Sequence, residues 1–306
     1  MASSSLLSSG DLIADRRLEH ARGYAAAGEP RAAAELTEQA LEIVPGWSAG
    51  WFELGGFLEA AEDTAGAIGA YERALALDGE DRCGATLRLA RLGARAAPDV
   101  PPAAHVRDLF DGYADRFEEA LVDRLGYRAP ELLAAAIEAA AGDRAFATAV
   151  DLGCGTGLMA AEIRDRVGRL EGCDLSPAMV AAAAQKGLYD ALAVGDVNGD
   201  LEARAAASLD LVTAADVFCY LGDLGAVMAA TARVLAPGGV FAFTVESDGA
   251  EETVSLAHSL RYKHGRAHVE RRARSAGLEV VRLEDATLRL DRGAEVGGFV
   301  VVLAKS

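Results

Sequence analysis

Three glycines at alternate positions, Gly153, Gly155 and Gly157, follow a carboxylate in the run Val150-Asp151-Leu152-Gly153-Cys154-Gly155-Thr156-Gly157. Glycine is needed where a backbone turns sharply, or comes up against a ligand with no Cβ between them. The run leaves an apolar stretch and enters a helical pattern near Leu158. It is not the dinucleotide fingerprint, which needs glycine where Leu158 stands, and it lacks the Gly-Lys-Ser/Thr ending of a phosphate-gripping loop. Further acids close later apolar runs: Asp174, 23 residues after Asp151, then Asp196 and Asp216. In an open parallel sheet such strand ends line one crevice, and an acid at the second of them is placed to meet ribose hydroxyls. One such aspartate alone reads as a helix N-cap or turn former. Four in successive crevice positions, behind this loop, point to a ligand site.

The elements that must hold these residues follow from periodicity. Short apolar runs alternate with helical stretches, giving strands at Phe146–Leu152, Leu170–Asp174, Ala191–Val194, Leu209–Ala214, Val240–Val245, Glu279–Leu283 and Phe299–Leu303. Crossover helices between the first five imply a parallel sheet. Only a loop links the last two, which read as an antiparallel pair. Before the sheet come helical stretches near 104–126 and 129–142, the first with Val106, Leu109, Phe110, Tyr113, Phe117 and Leu121 at helical spacing.

The first hundred residues carry an internal repeat. A shift of 34 places superposes Tyr24 on Leu58, Ala33 on Ala67, Ala40 on Ala74 and Leu41 on Leu75. Small residues let two antiparallel helices approach, and large ones fill the holes between turns. The second copy, with Trp51, Leu54, Gly55, Leu58, Ala67, Tyr71 and Ala74, resembles the tetratricopeptide (TPR) pattern. The implied organisation is an N-terminal tail over 1–15, TPR-like helices with a capping helix over 16–97, a Pro-rich linker over 98–103, and a second domain over 104–306. Three prolines within Pro98–Pro102 cannot continue a helix.

Composition narrows the function. Thirty Lys plus Arg stand against 47 Asp plus Glu, a net charge of −17, which argues against partners rich in phosphate: nucleic acid or an anionic membrane. Four dispersed cysteines, Cys83, Cys154, Cys173 and Cys219, form no metal-ligand spacing and suit a reducing compartment, so a cytoplasmic location is expected. The near-exclusive use of arginine, with lysine only at Lys186, Lys263 and Lys305, fits a GC-rich genome.

The strand-end constellation resembles the class I S-adenosylmethionine-dependent methyltransferases, whose acid-x-Gly-x-Gly-x-Gly motif is matched by Asp151, Gly153, Gly155 and Gly157. The whole chain is similar to predicted bacterial methyltransferases with N-terminal TPR repeats. The Phe110–Phe117 segment is similar to the cap helix of small-molecule enzymes such as the biotin-pathway malonyl-carrier-protein methyltransferase. The resemblance implies an α/β, seven-stranded Rossmann-like sheet with its last strand pair antiparallel, preceded by a small all-α TPR module. It implies S-adenosylmethionine as cofactor and S-adenosylhomocysteine as product. The glycine loop with Cys154 would border the methionine end, and Asp174 with Leu175 would meet the ribose. Asp196 and Val197 would flank adenine, and Asp216 would lie near the sulfonium.

Methyl transfer is an in-line displacement that needs alignment and exclusion of water. A hydroxyl acceptor would use a base, for which His264, His268 and Tyr113 are the candidates, although each histidine taken alone reads first as a solvated helix or loop residue. No Asp-Asp-Asn or His-rich cluster points to a metal. The expected reaction moves a methyl group to an O, N or C nucleophile of a small molecule, with the repeats serving self-association or a lid. The alternatives are a protein or peptide methyltransferase recruiting its substrate through the repeats, and a non-catalytic TPR adaptor.

Overall fold

The structure is a computed structural model that describes residues 8–112, 126–247, 249, 251–291 and 293–306. They form two compact units, Met1–Gly112 and Tyr113–Ser306.

The first unit is helical: α1 (Leu12–Ala26), α2 (Pro30–Ile43), α3 (Ser48–Ala60), α4 (Thr64–Leu77), α5 (Ala85–Arg91) and α6 (Ala103–Asp111). Each of the first four packs on the next in chain order. Buried alanines (Ala14, Ala21, Ala33, Ala34, Ala40) let the axes approach, and Leu18, Leu41, Trp47 and Leu54 fill the space between them. At Gly55 a Cβ would stand 2.5 Å from the ring of Tyr71, so glycine there is what admits the aromatic ring. Helix α1 starts at Leu12, inside the expected tail, because the Asp11 carboxylate accepts the backbone N–H groups of Ile13 and Ala14 and caps it. Helix α6, expected at the start of the second domain, belongs to the first unit. The ring of His105 lies on Gly84 and its Nδ1 is 3.1 Å from the Arg82 carbonyl. The rest of that predicted helix, with Tyr113, Phe117 and Leu121, lies outside the described residues.

The second unit is a three-layer α/β/α fold. Its elements are α7 (Ala129–Ala141), β1 (Phe146–Leu152), α8 (Leu158–Ile163), β2 (Val167–Asp174), α9 (Pro177–Lys186), β3 (Ala191–Val194), α10 (Val197–Ala203) and β4 (Leu209–Ala214). Then follow α11 (Gly225–Val234), β5 (Leu235–Glu246), β6 (Val254–Leu256), β7 (Tyr262–His264), α12 (Arg266–Ser275), β8 (Leu278–Asp291) and β9 (Ala294–Lys305). The main order is β3-β2-β1-β4-β5-β9-β8, parallel except for β9, which runs against both β5 and β8.

Alternation decides which face each strand residue covers. Val150, Leu152, Val212, Phe241, Phe243 and Val301 join α10, α11 and α12 in one core. Ala149, Leu211, Val240, Ala242, Val300 and Val302 join α7 and α8 in the other.

The described residues thus hold nine strands where seven were expected. The additional pair, β6 and β7, is a hairpin of two three-residue strands joined to β5 only at Glu246↔Lys263. Strand β8 is also far longer than Glu279–Leu283, because register shifts at Val280/Arg282 and Thr287/Arg289 carry it past its polar residues.

Candidate active site

The sheet reverses its winding at β1, whose neighbours are β2 on one side and β4 on the other, and the crevice opens beyond the carboxyl ends of these strands. The glycine loop leaves β1 there. Gly153, Gly155 and Gly157 all have left-handed φ, +62°, +53° and +87°, which side chains oppose. A Cβ on Gly153 would lie 2.5 Å from Val217, so this loop and the segment after β4 are in direct apposition. The Cys154 N–H donates to the Cys173 carbonyl at 2.9 Å and ties the loop to β2.

Asp174 ends β2, nearly buried. Its Oδ2 accepts the Gly155 N–H at 2.9 Å, and its Oδ1 accepts the Ser176 N–H at 2.8 Å. One carboxylate therefore joins the glycine loop to the start of α9. The Gly195 N–H donates to the Asp174 carbonyl at 2.9 Å, which brings the β3 end alongside. Asp196 is exposed and caps α10 through the N–H groups of Asn198 and Gly199. Leu175 follows Asp174, and Val197 opens α10 against the core.

Asp151 is buried, and both its oxygens are taken: Tyr189 donates to Oδ2 at 2.7 Å and Thr213 to Oδ1 at 2.8 Å. Burial raises its pKa to about 6, against the pull of those two hydrogen bonds. It braces the loop from beneath and presents no free oxygen.

Asp216 departs most from expectation. It stands just past β4 at φ +59°, and its N–H donates to Thr244 Oγ1 at 2.9 Å. Its carboxylate accepts Arg289 Nη1 at 3.0 Å on both oxygens, with Arg261 Nη1 3.5 Å from Oδ2. Arg289 Nη2 also donates to Glu246 Oε1, where Arg261 Nη1 arrives at 3.2 Å. Two carboxylates and two guanidiniums thus form a neutral quartet at the ends of β4, β5 and β8. Burial is the largest influence on Arg289 and opposes its charge, but Asp216 and Glu246 together outweigh it, so its pKa is raised. Asp216 is thus an ion-paired carboxylate. Glu246, Arg261 and Arg289 were not singled out as site residues from the sequence.

Tyr127 was also missed. Its phenol donates to the Ala215 carbonyl at 3.4 Å; burial, with Asp216 next, raises its pKa well above the ordinary value, so it stays a neutral donor.

The histidines do not serve as an accessible base. His264 is fully buried, its Nε2 is 3.3 Å from the Phe218 carbonyl, and its Nδ1 has no partner among the described residues. Burial, then His268, lowers its pKa to about 4. The two imidazoles lie 5.7 Å apart, and His268 is lowered too, first by burial. His264 is covered by the Phe218–Tyr220 turn, against which β7 packs, and its ring meets that of His268 on α12. Tyr113 lies outside the described residues.

Cys154, Cys173 and Cys219 are buried free thiols, each pushed up first by burial, and so are not nucleophiles. Among the described residues one set of metal-capable groups gathers, Asp216, Cys219 and Glu246. Arg289 already neutralises both its carboxylates. No helix among the described residues is long and apolar enough to cross a membrane.

Residues 150–243 match a family model described as a methyltransferase domain. Methyltransferase-like protein 27 of Homo sapiens is 35% identical over 113 residues, covering 36% of this chain and 46% of that protein. Malonyl-[acyl-carrier protein] O-methyltransferase of Serratia marcescens is 30% identical over 120 residues, 39% of this chain and 46% of that protein. The chain thus spans about half the length of these curated relatives. The Burkholderia thailandensis 1,6-didemethyltoxoflavin-N1-methyltransferase, solved with 1,6-didemethyltoxoflavin and S-adenosylhomocysteine, shares the fold at TM-score 0.55 and 20% identity, over 69% of this chain and 93% of that one. Residues 150–243 thus match a methyltransferase domain, and the second unit shares the fold of a methyltransferase solved with S-adenosylhomocysteine.

Proposed function

We propose that the protein transfers a methyl group from S-adenosylmethionine to an O, N or C nucleophile of a small-molecule acceptor. The observation that carries this reading is the pairing of three left-handed glycines with Asp174 at the switch point of the sheet. Loop backbone with no Cβ, beside a carboxylate fixed by two N–H groups, fits a nucleoside with an amino-acid tail. When bound, S-adenosylmethionine supplies an electrophilic methyl on a cationic sulfonium.

The chain's own residues then position and enclose. The glycine loop would hold the methionine end, Asp174 and Leu175 the ribose, and Asp196 with Val197 the adenine. Tyr127 and Tyr220 would narrow the crevice and exclude water. No side chain here is assigned to remove a proton, since the buried histidines are closed off. An acceptor acidic or nucleophilic enough to react by alignment alone suits such a site.

We read the helical unit as TPR-like: α2 and α4 are each 14 residues long and begin 34 places apart, at Pro30 and Thr64. We assign it to self-association or to a protein partner.

Calorimetry on the full chain tests the main reading. S-adenosylhomocysteine should bind, and Asp174→Ala should weaken it by at least about 10-fold, roughly one lost charge-assisted hydrogen bond. Absence of binding heat with both S-adenosylmethionine and S-adenosylhomocysteine would end it.

A further inference from the structure

We infer that the acceptor carries a carboxylate, held by the unused edge of Arg261. The inference rests on the methyltransferase reading of the same crevice and names the class of acceptor.

The quartet contains one committed guanidinium and one partly free. Arg289, nearly buried, makes the close contacts, spanning both oxygens of Asp216 and reaching Glu246. Arg261 stands farther off. It uses only Nη1 among the described residues, at 3.5 Å to Asp216 and 3.2 Å to Glu246. That leaves Nε and Nη2, two parallel donors on one edge of a planar group, the geometry that matches a carboxylate in bidentate fashion.

The guanidinium is held in place, and the side chain as a whole is partly exposed. The Arg261 carbon Cζ lies 5.2 Å from the centroid of the Tyr220 ring, which covers one face of the guanidinium. Its side chain keeps 24% exposure, against 5% for Arg289. Position supports the same assignment. Asp216 and Val217 are consecutive, and Val217 abuts Gly153 of the glycine loop, so the quartet borders the place proposed for the cofactor's methionine end.

The charge balance selects a monoanion. Two carboxylates and two guanidiniums cancel, so a third carboxylate finds one available donor edge with little excess field. A phosphate dianion would meet the same edge next to Asp216 and Glu246, and the like charges would repel it. A neutral amide would leave a charged donor edge half used.

The test uses the full chain saturated with S-adenosylhomocysteine, whose own binding is measured first, so loss of the methyltransferase reading shows at that step. Benzoate, benzamide and phenyl phosphate are then titrated, followed by ligand-observed NMR. Benzoate should bind saturably, with benzamide and phenyl phosphate at least about 10-fold weaker. Arg261→Met should lose benzoate by a similar factor while retaining S-adenosylhomocysteine within about twofold and the wild-type melting cooperativity. Arg261→Lys, with charge but no two-donor edge, should fall between the two. Equal binding of benzoate and benzamide, stronger binding of phenyl phosphate, no benzoate binding to the loaded protein, or undiminished benzoate binding by Arg261→Met would each overturn the assignment.

Discussion

The Tyr189 phenol donates to the Asp151 carboxylate at 2.7 Å, and the same ring lies against Gly157 and Gly172, where a Cβ would come within 3.1 and 2.8 Å of it. One side chain thus secures the acid beneath the glycine loop and fills the space two glycines leave. Tyr189→Phe keeps the packing and removes the bond, leaving Thr213 as the remaining side-chain donor to Asp151. A lost hydrogen bond to a buried charged group costs roughly 1.5–3 kcal/mol. Chemical denaturation should register that loss, and calorimetry should show weaker S-adenosylhomocysteine binding.

Gly153 has two separate reasons to be glycine: φ of +62° and a would-be Cβ 2.5 Å from Val217. Gly153→Ala should destabilise the fold by about 1–2 kcal/mol from the backbone alone, with the clash added. Val217→Ala in the same chain should relieve the clash and leave the backbone cost. Thermal melts of the single and double variants should therefore show partial rescue, and full rescue would refute the backbone argument.

Arg289 holds two buried or half-buried carboxylates at once. Arg289→Met leaves both without their close partner and should cost roughly 3–5 kcal/mol. Combining it with Asp216→Asn removes one stranded charge and leaves Glu246 to Arg261, its remaining ion-pair partner, and should recover part of the loss. Denaturant titration of the single and double variants decides it.

The pH dependence of stability divides between two groups of opposite sign. His264 has its pKa lowered from 6.5 to about 4, so the unfolded chain takes up its proton first, and stability falls as pH drops through that range. Asp151 is raised from 3.8 to about 6, so its contribution is lost as pH rises through about 6. Over the shared range from about 4 to 6 they oppose one another. His264→Leu removes only the first. Its stability relative to the unaltered chain should grow by on the order of 3 kcal/mol between pH 7 and pH 4, read from denaturant titrations at each pH.

Strands β1, β3 and β4 have the same limits in sequence and structure, because each is a short apolar run closed by a turn residue at a crevice end. The acids at those ends were legible for the same reason. The quartet was not. Glu246 and Arg289 lie 43 positions apart, and they meet only because β9 inserts between β5 and β8, a long-range pairing that no local pattern announces. A trace existed: Arg289 follows the buried Leu288 in a strand whose register shifts at that point, so a charge sits where an alternating strand should face water. Tyr127 left no trace, since a tyrosine ahead of a helix-opening Ala129-Pro130 reads as ordinary connection. The histidines were legible as residues but not as burial, which for His264 depends on β7 packing against the Phe218–Tyr220 turn.

The place of β9 in the sheet also bears on how the protein is made. Synthesis delivers β1 to β5 first, with Asp216 and Glu246 already at their strand ends but the guanidinium of Arg289 still to come. Until β9 emerges and slots in, the edge of β5 stays unpaired along Val240–Glu246 and two carboxylates lack their close counter-ion. An incomplete domain therefore has an exposed strand edge and an unfinished ion-paired cluster, and the final hairpin completes both in one step.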